Sequence, residues 1–152
     1  MILDLSDILA ALPHRPPMLM IDHARSLASR DELLAFRHVA PNDPILQGHF
    51  PGHPVLPGVL LVEAIAQAAG LLVASTGELA GAGGLPYLVG IDQARFRKPV
   101  LPSQDLEIHV LRTKTWGPFS KFTGTVRIAG EVVAEASLMA TLAPVHAQEQ
   151  PC

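Results

Sequence analysis

From Val59 to Thr76 the chain reads VLLVEAIAQAAGLLVAST, a run without proline in which Glu63 and Gln67 are the only polar side chains before Ser75. Its 18 residues predict one helix about 27 Å long, with Gly77 placed as a C-terminal cap and Ser75 and Thr76 as helix-end residues. Elsewhere the apolar positions alternate. PMLMIDHARSL (17–27) and DELLAFRHVA (31–40), separated by ASR, predict a hairpin. YLVGIDQARF (87–96), DLEIHVLRTKT (105–115), FSKFTGTVRIAG (119–130) and EVVAEASLMATLA (131–143) predict four more strands, joined by turns at KPVLPSQ, WGP and AGE. LSDILAALPHR predicts a short first helix, capped by Ser6 and ended by Pro13. Between hairpin and long helix, PNDPILQGHFPGHPVLPG carries five prolines and three glycines, which predicts a stiff loop through which no regular helix runs.

A helix apolar all round must be covered all round, and a meandering antiparallel sheet does this most economically by curling about it. The expected fold is therefore α+β with one central helix. ELAGAGGLP (78–86) reads as a flexible link, and the domain is expected to end near residue 144, with a disordered tail over 145–152.

Composition narrows the functional classes. With 49% hydrophobic residues in 152 the chain can build one full core. A net charge of -3 and no global basic bias argue against a nucleic-acid partner. Cys152 has no partner for a disulfide, and Asp4 and Asp7 stand where a secretory signal would carry Lys or Arg, so no targeting segment and a cytoplasmic location are expected. Residues 58–76 are apolar enough to raise a membrane span, but Glu63 and Gln67 are costly in lipid and no Lys or Arg flanks the segment.

Candidate chemistry concentrates at Glu63. Glu63 and Gln67 lie one turn apart on one helix face, and desolvation favours the neutral carboxylic acid, so a Glu in such surroundings can hold a proton to give. His49, in the stiff loop, is a candidate base. His49 and His53 are spaced as a helical zinc pair would be, but Pro51 and Gly52 intervene and no third ligand is suitably spaced, so no metal is expected. His14, His23, His38, His109 and His146 read as strand or surface residues. A histidine, a buried acid and backbone N–H groups near Gly58 can together remove a proton beside a carbonyl, hold the enolate oxygen and protonate a leaving hydroxyl.

LQGHFPGHPVLPGVLLVEAIAQAAG resembles the active-site segment of 3-hydroxyacyl-acyl-carrier-protein dehydratases of the FabZ type, which have the hot-dog fold. LPHRPPMLMIDHA and YLVGIDQARFRKPVLPSQDL resemble two further blocks of that family in the same order, so the resemblance covers most of residues 11–106. It implies that His49 takes the α-proton and Glu63 protonates the departing 3-hydroxyl. It further implies that the Gly58 N–H binds the thioester carbonyl, that the Val55 carbonyl orients His49, and that Gln67 helps hold Glu63. Glu rather than Asp at position 63 implies dehydration without isomerisation. His53 and Ser103 depart from the family pattern, standing where Lys or another polar residue and where Gly are more usual. The resemblance implies no cofactor, an acyl carrier protein as partner, and a homodimer as minimal unit, with a hexamer as a larger option. It also implies that His49 of one subunit meets Glu63 of the other across the dimer; within one chain the loop would have to fold back on Gly52 to bring the two together. Arg95, Arg97 and Lys98 form a basic cluster that could receive an acidic carrier. Another acyl-thioester activity of the same fold (thioesterase or enoyl-CoA hydratase) and a silent acyl-binding subunit are the alternatives, and fatty-acid and polyketide or polyene pathways both fit.

Overall fold

The computed structural model describes residues 1–78 and 84–144. Of the link expected over 78–86, residues 79–83 lie outside the described residues, as does the expected tail at 145–152 with His146 and Cys152, while Gly84–Pro86 belong to a strand rather than to a link, because they pair with Leu142–Pro144. The elements in chain order are β1 (Ile2–Leu3), α1 (Leu5–Ala11), β2 (His23–Ser26), β3 (Glu32–His38), α2 (Pro44–Gln47), α3 (Gly58–Ser75), β4 (Gly84–Phe96), β5 (Asp105–Trp116), β6 (Phe119–Ile128) and β7 (Glu131–Pro144). The seven strands form one antiparallel sheet in the order β1-β2-β3-β5-β6-β7-β4. This is the hot-dog arrangement: α3 packs against β3, β4, β5, β6 and β7 at once.

Period-two alternation delivers the wrapping. Leu106, Ile108 and Val110 of β5, Phe122 and Val126 of β6, and Leu138 of β7 are all buried against the helix. On β6 the inward position between Phe122 and Val126 is Gly124, where a Cβ would come within 2.2 Å of Ile65 Cγ2. Only glycine lets strand and helix approach so closely. α3 is long and apolar enough to cross a membrane, and 61% of its span is buried inside this sheet.

Local chemistry shifts several expected boundaries. α3 starts one residue earlier, at Gly58, and is followed by Gly77 in the left-handed region with φ +81. The cap of α1 is Asp4 rather than Ser6. The Asp4 and Asp7 side chains each accept from the other's backbone N–H at 3.0 Å, and the Ser6 hydroxyl donates to Asp4. The stiff loop does contain a helical turn, α2, contrary to expectation. Pro44 sits where its missing N–H is not needed, and the Asp43 side chain accepts from Ile45 N at 3.0 Å. The first hairpin strand is short, His23–Ser26, because the backbone groups of Met18, Leu19 and Met20 are taken by side chains rather than by a neighbouring strand.

β4 closes one edge of the sheet, pairing with β7 on one side only. It is 13 residues long, and Tyr87, Leu88, Val89, Ile91 and Phe96 on it are each more than 40% exposed.

Candidate active site

Glu63 is held from α3 itself. Gln67, 1% exposed, donates from Nε2 to Glu63 Oε1 at 2.7 Å and to the Met18 carbonyl at 2.8 Å, and its Oε1 accepts from Met20 N at 2.8 Å. The amide is thereby locked, and the carboxylate orientation with it. His14 Nε2 stands 3.3 Å from the same Oε1. Gln67 thus donates to Oε1 and the His14 ring stands beside it, while Oε2 has no hydrogen-bond partner among the described residues and is free to carry a transferable proton.

Glu63, His14 and Gln67 line one end of a cavity of about 130 Å³. Ala66, Ala69, Gly70 and Val73 continue its wall along α3, and the helix advances about 15 Å from Glu63 to Val73. Small side chains on the helix leave room, and Phe122 and Leu138 form part of the opposite wall. An acid at one end of an apolar slot suits a reacting group on an alkyl chain. At the other end lies Glu78, which accepts from Arg112 Nη1 at 2.7 and 2.8 Å. Burial pushes the Glu78 carboxyl up, but the hydrogen bonds from Arg112 and Thr76 outweigh this and hold it below the usual carboxylate range.

His49 is held by backbone. The loop folds back at Gly52, which has φ +76, and Phe50 and His53 exchange hydrogen bonds at 2.8 and 3.0 Å. Val55 N donates to the His49 carbonyl at 2.8 Å, and His49 Nδ1 lies 2.8 Å from the Val55 carbonyl. A carbonyl can only accept, so Nδ1 carries the hydrogen and Nε2 presents a free lone pair, the tautomer a base requires. Gly58 opens α3 with no side-chain cap, and a Cβ there would stand 3.1 Å from the Phe96 ring. Leu60 N donates to the Pro57 carbonyl at 3.0 Å, and no side chain takes the N–H groups of Gly58 and Val59 ahead of it among the described residues. His49 is not among the residues lining the Glu63 cavity. Folding back at Gly52 seats it beside Val55 rather than in that slot.

A family model described as a FabA-like domain matches residues 12–137. The chain belongs to the FabA-like family. Among its relatives, the 3-hydroxyacyl-[acyl-carrier-protein] dehydratase FabZ of Anaeromyxobacter dehalogenans is 48% identical over 145 residues, spanning 93% of this chain and 92% of the relative. The protein of the same name from Haemophilus influenzae is 43% identical over 138 residues, spanning 91% and 93%. Among solved structures, the dehydratase heterocomplex ApeI:P from Xenorhabdus doucetiae matches with a TM-score of 0.77 at 23% identity, covering 91% of both chains. The FabA-like fold thus extends over nearly the whole chain.

Two residues take places other than those expected. His14, expected on a strand or the surface, is half-buried beside Glu63, because Arg15 donates to the Leu9, Leu12 and His14 carbonyls and fixes the turn that turns it inward. Its signal was its place one residue after the Pro that ends α1. Arg37, 8% exposed, donates to the Leu19 carbonyl at 2.7 Å and to Asp43 at 2.6 Å. Its signal was its phase: Arg37 alternates in step with Leu33, Ala35 and Val39, all buried, which puts it on the inward face of β3. Of the basic cluster, Arg97 is paired with Glu135 and Lys98 with Glu131, while Arg95 has no ion pair among the described residues. No group of three or more His, Cys, Asp or Glu side chains is placed to hold a metal among the described residues, and His53 is exposed. Ser103 adopts φ +66, which gives a physical reason for a glycine at this position.

Proposed function

We propose that this chain, as one catalytic unit over residues 1–144, dehydrates (3R)-3-hydroxyacyl thioesters on acyl carrier protein to the trans-2-enoyl thioesters in fatty acid biosynthesis. The observation that carries the reading is the locked Glu63 carboxyl at the end of an apolar slot, in a chain 43 to 48% identical to dehydratases of that name. The acyl tail lies along α3, and the thioester carbonyl accepts from Gly58 N–H at the open helix start. His49 Nε2 removes the α-proton, the enolate oxygen is held by that N–H, and the C–O bond to the 3-hydroxyl breaks as Glu63 gives it a proton. Water leaves, and the proton on His49 returns to Glu63. Glu63 in place of Asp favours dehydration without isomerisation, no cofactor enters any of these steps, and a cytoplasmic setting goes with the pathway.

The working unit is a homodimer, in which His49 of one subunit serves Glu63 of the other. Two observations support it: His49 stands outside the cavity of its own chain, and β4 presents a long unpaired edge with exposed apolar side chains, a template for pairing with a second copy. The carrier is received near Arg95, with Arg97 and Lys98 beside it. Incubation with carrier-bound 3-hydroxyacyl substrate tests the activity: enoyl thioester should form with no free thiol, whereas thiol release without enoyl product would replace dehydration by hydrolysis.

A further inference from the structure

Among the described residues only two polar side chains are buried, Gln67 and Arg37, and both grip the same three residues. Gln67 of α3 holds the Met18 carbonyl and Met20 N–H, and Arg37 of β3 holds the Leu19 carbonyl between them through Nη1. From there the two sides diverge. Gln67 leads directly to Glu63 Oε1. Arg37 leads through Nη2 to Asp43 Oδ2, whose other oxygen caps α2. The backbone then continues from Asp43 O to Leu46 N, and from Leu46 O to His49 N at 3.2 Å. One hydrogen-bonded chain therefore runs from Glu63 to His49 within a single subunit, and its central members are buried.

Arg37 is there at a cost. Its Nε is buried with no partner, and a charged side chain with an unmet donor is an unfavourable way to fill a core position that a methionine would fill without one. What the guanidinium alone supplies is a fork: two donors in fixed geometry, one on the strap at Leu19 and one on the cap of α2. We propose that Arg37 is a positioning residue for the reaction, a clamp that fixes the acid-bearing helix and the base-bearing loop relative to one another. The inference rests on His49 and Glu63 being the base and acid of the proposed dehydration. Because those two groups serve different sites of the dimer, each Arg37 would hold one half of each site.

A merely structural Arg37 would lower the melting temperature and leave turnover per folded subunit intact. A clamp acts on turnover, because a displacement of about 1 Å at a reacting group can cost on the order of a hundredfold in rate. Arg37→Met, assayed well below its own melting temperature on carrier-bound 3-hydroxyacyl substrate, should lose about ten- to a hundredfold in kcat with KM within about threefold. Arg37→Lys keeps the charge and one of the two contacts and should recover at least a third of that loss on a logarithmic scale. Asp43→Asn, which keeps a cap oxygen for Ile45, should lose less than Arg37→Met and covers the case in which Arg37→Met does not fold. Wild-type kcat in folded Arg37→Met, or in both Arg37→Lys and Asp43→Asn should Arg37→Met not fold, overturns the clamp.

Its two-sidedness is read in a hybrid dimer of a His49→Ala chain and a Glu63→Gln chain, where one intact site takes Glu63 from the first and His49 from the second. Arg37→Met added to either chain should lower the activity of that hybrid at least about fivefold. A fall in only one arm overturns the shared clamp. A parent hybrid that is inactive although mixed dimers form contradicts the cross-subunit site instead, and leaves the kcat test of Arg37 standing.

Discussion

Glu63 and His49 are held in opposite ways. Glu63 projects from the end of the first third of an 18-residue helix that the sheet grips on several sides, and its oxygen is fixed by a side chain that is itself locked. His49 projects from a loop, fixed by its own backbone carbonyl and by Val55, next to an exposed Phe50 that stacks on it at 4.0 Å. The proposed acid is placed by packing and the proposed base by a backbone hairpin. Packing defines a position whether or not a second subunit is present. A loop hairpin defines the direction of the lone pair but leaves the ring outside the slot of its own chain, which is why the proposed site takes its acid from one subunit and its base from another.

The largest effect expected on this comparison comes from the acid half. Glu63→Gln keeps size and the contact to Gln67 but removes the transferable proton, so the fold should persist and kcat should fall by about two to four powers of ten. Near-wild-type turnover would remove Glu63 from the chemistry. Gln67→Leu leaves the proton but frees the carboxyl and strips the Met18–Met20 strap of two hydrogen bonds. It should cost about tenfold in kcat and about 2 kcal/mol in stability, read in a urea titration. The base half should respond differently to its own support: substitution at Val55 leaves the carbonyl in place, so Val55→Ala should change kcat less than about threefold.

Away from both halves the effects shrink. Glu78 at the distal end of the slot has its folded carboxyl lowered by Arg112 and Thr76 against the opposing push of burial. A lowered pKa gives stability that is present above the unfolded value and lost as the pH falls through the folded one. With a half-exposed carboxylate, the gap between wild type and Glu78→Gln should be about 1 kcal/mol at pH 7, closing as the pH drops below about 4. A gap that widens in acid would contradict the assigned direction. The smallest effect is a gain. Ser103 holds φ +66 and is exposed, so Ser103→Gly should raise stability by about 0.5 to 1 kcal/mol with no change in kcat, read as a higher melting temperature.

The contrast between the halves also explains what the sequence could and could not disclose. The acid half is written in periodicity: an all-apolar helical run with Glu63 and Gln67 one turn apart forces the long helix, its burial and the pairing of the two side chains. The bounds of α3 fall within one residue of the expected ones. The base half is written in exceptions. Five prolines argued against any helix, yet Pro44 at a first helical position is an asset rather than an obstacle, and α2 forms. Pro16 and Pro17 lie ahead of a run of apolar residues that looks like a strand, but Gln67 and Arg37 claim the backbone of Met18, Leu19 and Met20. Those partners are 47 and 18 residues away, and no local pattern announces them. The inward place of His14 is hidden for the same reason, since its turn is made by Arg15 reaching back to Leu9 and Leu12. The basic cluster at residues 95 to 98 was legible as charge but not as pairing, because Glu131 and Glu135 lie on a strand brought alongside only by the fold.

The measurement that tests the division between the halves most directly is complementation between two inactive variants. His49→Ala and Glu63→Gln chains, unfolded together and refolded at equal amounts, pair at random, so about half the dimers are mixed and each mixed dimer rebuilds one intact site out of two. About a quarter of wild-type activity should return. A mixture that stays inactive while mixed dimers are demonstrated by mass would mean that each chain brings its own His49 to its own Glu63, and the account of two half-sites would be wrong.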